Sequence, residues 1–208
     1  MKKIFLIAPV ALFTVLTSCE GETKSETTEI AVVAENVVAK NYVLNTLEST
    51  IEWQGEGVGH GHKGNLSINK GKFIIENDAV TQGTLEIDMT SLTVSSIPAE
   101  EEENGKLVGH LTTGDFFNVA EFPTATLTIT DGTDMNNIKA NLTIKEVTDE
   151  VTFALSSAEE NGVITLTSSL KVDRTKFGVI YSSGNFFEDL GDHLIDDEFT
   201  LNVTLVSK

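Results

Sequence analysis

The sequence predicts an antiparallel all-β domain, on three observations. Apolar and polar residues alternate with period two through most of the chain after Asn41. Groups rich in Gly, Asn and Asp fall between the alternating runs at hairpin-like spacing, as turns require. No segment shows a long apolar stripe at the 3.6-residue spacing of a helix.

The runs support this reading one by one. "TLEIDM" sets Leu85, Ile87 and Met89 against Thr84, Glu86 and Asp88. "ATLTIT" alternates Ala125, Leu127 and Ile129 with threonines, and "KANLTIKE" does the same with Ala140, Leu142 and Ile144. "EVTFALS" offers Val151, Phe153 and Leu155; "VITLTSSLKV" offers Ile164, Leu166, Leu170 and Val172. "FTLNVTLVS" closes the series with Phe199, Leu201, Val203 and Leu205. Successive strand residues point to opposite faces, so each run has one apolar and one wet face. The β-branched residues in these runs suit strands. "NKGK" at 69–72, "DGTD" at 131–134 and "ENG" at 160–162 are the predicted turns. A sheet with one apolar face must bury it against a second sheet or by closing on itself. The alternation does not choose between sandwich and barrel.

The first residues read as an export signal. Lys2 and Lys3 precede the apolar run Ile4 to Leu16, which is the length of a signal-peptide core and too short to span a bilayer. The run ends in Leu16-Thr17-Ser18-Cys19, which resembles the lipobox of bacterial lipoproteins. That resemblance implies cleavage after Ser18, lipid attachment at Cys19 and a membrane-anchored protein of the cell envelope, at its periplasmic face or the cell surface. Cys19 is the only cysteine, so no internal disulfide forms. Residues 1–18 are thus assigned to the signal, 19–40 to an acidic tether and 41–208 to one domain. The tether's Glu, Thr and Ser favour solvation.

The net charge is −18, and removal of residues 1–18 takes two lysines and no acid, leaving −20. Such a surface repels nucleic acid, and no basic patch offsets it. The charge serves to keep an exported domain soluble.

"GHLTTGDFFNVAEFPTATL", 109–127, places Phe116, Phe117 and Phe122 in what reads as a polar connection leading into a strand. Rings in such a segment need cover, from the core or from a ligand. This stretch, followed by "ANLTIKEVTDEVTF" and "LKVDRTKFGV", resembles three successive signatures of the YceI-like family, and "STIEWQGEGVGHGHKGNLSI" looks like its first hairpin. The resemblance covers about residues 41–208. It implies an eight-stranded antiparallel, lipocalin-like barrel whose apolar interior holds an isoprenoid or other long-chain lipid. Three features depart from the family pattern: Asn45 replaces an Asp, Glu146 replaces a Gly, and 95–109 is unusually acidic. If that acidic segment borders the pocket, it disfavours an anionic head group.

On this reading Phe116, Phe117, Phe122, Phe153, Arg174, Phe177, Phe186 and Phe187 are the candidate ligand-binding residues. Phe186 and Phe187 are placed over a barrel mouth, or packed beneath the last loop. Asp173 and Arg174 are read as adjacent strand residues facing opposite ways, with Arg174 at a rim salt bridge or at the polar end of a ligand. His60 and His62 share a strand face, and His110, His193 or Asp192 would have to complete a metal site; no metal or other cofactor is expected. Trp53 is read as core. No nucleophile elbow, phosphate loop or metalloprotease signature occurs. The expectation is a carrier or store and not an enzyme. A metal-dependent or hydrolytic enzyme in the same shell, and a barrel filled by its own side chains, are the alternatives. A homodimer is left open.

Overall fold

The computed structural model describes residues 38–208. The signal segment, Cys19 and nearly all of the tether lie outside the described residues. Ten strands and one α-helix follow one another. They are β1 (Lys40–Val43), β2 (Thr50–Gly57), β3 (His60–Glu76), β4 (Ala79–Asp88), α1 (Glu102–Thr112), β5 (Thr124–Asp131), β6 (Ile138–Ile144), β7 (Val147–Phe153), β8 (Ser156–Glu160), β9 (Val163–Asp173) and β10 (Ile195–Val206). The ladder runs β7-β6-β5-β4-β3-β2-β10-β9-β8, with β1 beside β3. Every pairing is antiparallel.

The expected strand count of eight is therefore corrected to ten, and the hydrogen-bonded ladder does not close. Two causes are local. β1 is a short addition along the far half of β3. The run expected as one strand after Val147 breaks at Ala154–Leu155 into β7, which pairs with β6, and β8, which pairs with β9. The chain turns from one part of the sheet to the other at that corner, where the Ser168 hydroxyl donates to the Ala154 carbonyl at 2.8 Å.

Three hairpins use two-residue turns with both φ angles positive: Asn77–Asp78, Lys145–Glu146 and Asn161–Gly162. Such turns match the right-handed twist of the flanking strands. "ENG" falls on the last of them, and "DGTD" on the β5–β6 connection. "NKGK" is not a turn: Asn69 to Lys72 lie inside the 17-residue β3, at an irregularity where the register with β4 shifts between Ile68 and Lys70.

The alternating residues supply the core. Ile51, Ile68, Leu85, Ile87, Leu142, Leu166, Val172 and Leu201 are buried in one cluster lining the inner face of the sheet. A smaller cluster of Leu92, Val94, Leu111, Phe116 and Val179 forms under α1 and its flanking segments. Trp53, Leu66 and Phe117 pack against both clusters. Gly64 is required here: a Cβ on it would overlap the Thr93 carbonyl oxygen. Because it has none, residues 91–96 lie along β3, where Thr93 N donates to Asn65 O at 3.0 Å and Ser95 N to Lys63 O at 2.8 Å.

Helix α1 was not expected. Its sequence, EENGKLVGHLT, carries Gly105 and Gly109 and only a narrow inward stripe of Asn104, Leu107 and Leu111. Tertiary contacts hold it. The Asn104 amide donates to Val94 O at 3.0 Å and Ile97 O at 2.8 Å, pinning the helix to the preceding segment. Glu102 and Glu103 in the first turn complement the helix dipole, and Glu102 pairs with Lys106 at 2.8 Å.

Candidate functional site

Between the sheet and α1 lies a cavity of 190 Å³ whose wall is almost wholly apolar. Its floor is formed by inward residues of the strands, among them Leu66, Ile87, Leu142 and Leu201, and its cover by Leu107 and Leu111 of α1 with Phe116 and Phe117. A second, smaller apolar cavity of 70 Å³ lies deeper. Ile87, Leu142 and Leu201 line both, so the two spaces adjoin. An apolar cavity of about 150 Å³ stays dry and takes up small apolar molecules; this one is larger and as poorly suited to water.

The cover is held by aromatic contacts. The Phe116 and Phe117 rings meet edge to face with centroids 5.9 Å apart. His110, near the end of α1, packs on Phe116 at 5.2 Å and on Tyr181 at 4.6 Å. The Phe116–Phe117 segment follows α1 directly, and the Phe117 amide donates to Leu111 O at 3.1 Å. The helix end and the rings are therefore joined through both main chain and side chains.

The expected ligand-binding residues separate into groups. Phe116 and Phe117 line the large cavity and Phe153 the small one. Phe177 is fully buried away from both linings, and Phe122 is half-buried and also outside them. Phe186 and Phe187 stand exposed, by 55% and 46%, on the loop before β10. They cover neither cavity.

Arg174 lines the large cavity, but not from a strand. Asp173 ends β9, and its carboxylate accepts from Thr175 N at 2.9 Å and Thr175 Oγ1 at 2.6 Å. This local bond breaks the extended chain into a short 3-10 turn carrying Arg174. The guanidinium is buried and donates to four main-chain carbonyls: Asp196 at 3.0 Å, Val179 and Tyr181 at 2.8 Å, and Ile195 at 2.9 Å. Asp197 lies 3.5 Å from Nη2. Burial pulls the guanidinium below its ordinary pKa, and Asp197, Asp173 and Asp196 oppose that pull. The ion remains charged, as arginine does in proteins. It ties the loop 179–181 to the start of β10.

His60, His62 and His110 line the cavity; Glu56, between the inward-facing Gly55 and Gly57, turns its carboxylate to the outer face, where it accepts from the Gln54 amide at 2.7 Å. His60 Nδ1 lies 2.8 Å from Val58 O, and His62 Nδ1 lies 3.2 Å from Ser96 Oγ. Burial, then the nearby His60, lowers the pKa of His62, and Glu56 opposes them. Among the described residues no three His, Cys, Asp or Glu side chains converge as a metal site would need.

Sequence reasoning missed Trp53 and Phe199 as wall residues and Phe73 as part of the small cavity. Alternation marks them as inward-facing but cannot say which inward residues meet empty space. Trp53 also donates its indole N–H to Thr93 O at 3.0 Å, which fixes the ring against the wall.

The family model of the YceI-like domain matches residues 42–207, all of the sheet but the first two residues of β1, together with its cover. The chain belongs to the YceI-like family. A relative within reach of sequence comparison is a UPF0312 protein of Shewanella denitrificans, 28% identical over 131 residues, covering 60% of this chain. The match spans 65% of that relative's length. Burkholderia cenocepacia BcnA has a similar structure, with a TM-score of 0.62 at 17% identity over 79% of this chain and 99% of its own. A polyisoprenoid binding domain from Saccharophagus degradans, implicated in plant cell wall breakdown, gives a TM-score of 0.57 at 14% identity, over 80% and 97% of the two chains. At these identities the two structures share with this YceI-like chain its fold.

Proposed function

We propose that this YceI-like protein binds an apolar chain, an isoprenoid or another long-chain lipid, inside the sheet and carries or sequesters it. The carrying observation is the pair of adjoining apolar cavities beneath a cover of packed rings. Pockets that bury small ligands are of this kind: apolar walls with a few polar groups at one end. The fold shared with a polyisoprenoid binding domain supports the same reading. Binding is favoured over catalysis because Arg174, the one buried cation in the wall, is tied to four carbonyls. The proposal extends to the envelope: Cys19 following a short apolar run supports lipid anchoring of an exported protein.

Mass spectrometry of an organic extract of the purified protein tests the reading. A long-chain lipid near one per chain is expected. An extract without lipid, together with no uptake of a polyprenyl or fatty-acyl probe by the emptied protein, overturns it.

A further inference from the structure

We propose that the stacked rings of Tyr42 and Phe73 close the inner end of the cavity and set the length of apolar chain it can enclose. This rests on the reading that the cavity holds such a chain.

The two apolar cavities lie end to end along the strands. On β4 the wall runs from Met89 at the large cavity, through Ile87 in both, to Leu85 and Gly83 at the small one. On β10 it runs from Phe199, through Leu201 in both, to Val203 and Leu205. A separate hollow continues the same series. Its wall takes Ile75 beyond Phe73 on β3, Tyr42 beyond Leu44 on β1, and Ile164 beyond Leu166 on β9. Lys40, Asp78 and Glu159 also line this hollow and are exposed, so it is open to solvent. The inner face of the sheet is thus hollow at both ends and interrupted in between.

The interruption is a layer of side chains. The register pairs Tyr42 with Phe73 on β1 and β3, and Phe73 with Gly83 on β3 and β4. The Tyr42 and Phe73 rings stack, with centroids 5.0 Å apart and 15° between their planes. Phe73 lines the small cavity and Tyr42 the hollow, so the stacked pair stands between them. Buried Leu44 and Val80 complete the layer, and Leu44 Cδ1 occupies the space that a Cβ on Gly71 would need. Stacking on a ring of the neighbouring strand opposes rotation of Phe73 out of the path of a chain.

The enclosed space has a definite capacity. An apolar cavity of about 150 Å³ takes one benzene-sized molecule, so cavities of 190 and 70 Å³ hold a chain of about ten to fifteen carbons. A longer chain leaves its excess at the other end, where the exposed His60 lines the large cavity. Each carbon buried tightens binding by about fourfold. Carbons left in water add nothing, so affinity should stop rising once the tail reaches Phe73.

Trp53 is the only tryptophan and lines the large cavity, so its emission reports filling. The emptied full chain is titrated with geraniol, farnesol and geranylgeraniol, which differ by successive isoprene units, with equilibrium dialysis as the second readout. Farnesol should bind more tightly than geraniol by about tenfold or more, and geranylgeraniol should fall within about threefold of farnesol. Phe73→Ala joins the small cavity to the hollow, and geranylgeraniol should then bind more tightly than farnesol by about tenfold. Should that variant fail to fold, Tyr42→Ala, at a half-buried position on the short β1, carries the same expectation. Gly83→Val acts in the opposite direction: it adds apolar bulk to the small cavity, where a Cβ meets the flexible Ile129 Cδ1 at 2.9 Å. It should weaken farnesol by about tenfold and geraniol by less. Geranylgeraniol exceeding farnesol in the parent by as much as farnesol exceeds geraniol overturns the inference. So does an unchanged length profile in the folded ring variant, or full farnesol affinity in Gly83→Val. Each of these results leaves the chain-binding reading standing. Failure of all three alcohols in both readouts would reject both.

Discussion

The guanidinium carbon of Arg174 lies 5.6 Å from the centroid of the Phe116 ring. One side chain thus holds two things in place: the main chain of 179–181 and β10 through its hydrogen bonds, and the cavity cover through the ring face. Contacts of this kind strengthen when water is excluded, and Arg174 is only 3% exposed.

Replacing Arg174 with Met should therefore cost about 3–5 kcal/mol, because four buried carbonyls lose their partner. Arg174→Lys should recover only part of this, since an ammonium cannot reproduce the planar fork. Urea denaturation of the two variants checks the order. Equal stability of the Lys variant and the parent would show that charge alone matters.

Phe116 and Phe117 differ in burial, so their truncations should differ. Phe116 is 5% exposed and belongs to the cluster under α1; Phe116→Ala should cost about 3–5 kcal/mol in the empty protein. Phe117 is only half-buried and lines the cavity. Phe117→Ala should cost clearly less stability while weakening uptake of a polyprenyl probe. Thermal melts and titrations of both variants decide. A Phe117 variant that loses stability and keeps full probe affinity would place that ring in the core alone.

Glu146 adopts a φ of +63 in the β6–β7 turn. A side chain in this left-handed conformation costs about 1–2 kcal/mol relative to glycine, partly offset by the greater freedom of glycine in the unfolded chain. Glu146→Gly is expected to stabilise by about 0.5–1 kcal/mol net on these grounds. A lower denaturation midpoint in the Gly variant would contradict it.

Burial holds His62 below its ordinary pKa of 6.5. In the window just under that value the unfolded chain binds the more protons at this site. Its contribution to stability is therefore complete above pH 6.5 and is lost as pH falls toward the folded-state pKa. His62→Gln should flatten the decline in melting temperature between about pH 6.5 and 5. An unchanged pH profile would remove His62 as a contributor.

Membrane attachment is the remaining expectation. One acyl chain binds a bilayer marginally and two or more hold it stably, so Cys19→Ala should move the protein from the membrane fraction to the soluble one. Fractionation followed by immunoblotting reads this directly, and unchanged partition would exclude the lipid anchor.

Leu85, Ile87, Ala140, Leu142, Ile164, Leu166, Leu170 and Val172 are all buried where strict alternation put them. Their burial depends on period two alone, which local sequence carries. α1 was not legible because two glycines and a narrow apolar stripe hide it, and the bonds that hold it run from Asn104 to Val94 and Ile97 outside the helix. Arg174 was misplaced because the strand pattern continues up to Asp173, and only the Asp-x-Thr spacing hints at the break. Its carbonyl partners lie on a loop and on a strand up to 22 residues away. Phe186 and Phe187 looked like a cover because rings favour burial, yet the two rings that reach the cavity from the cover side, Phe116 and Phe117, are supplied by the segment after α1. Free volume is a property of how facing side chains fail to fill a space. No single strand records it.

The corner at Ala154–Leu155 leaves β7 bonded only to β6 and β8 bonded only to β9 among the described residues. Around the rest of the wall, a change of girth would have to stretch ladder hydrogen bonds, which weaken steeply with distance and angle. At this seam the wall is held by side chains such as Leu155 and Val151, whose dispersion contacts are many and individually weak. Expansion there is graded and not all-or-none. On the proposed function, chains of differing thickness would be accommodated by yielding along this one line while the remaining strands keep their register.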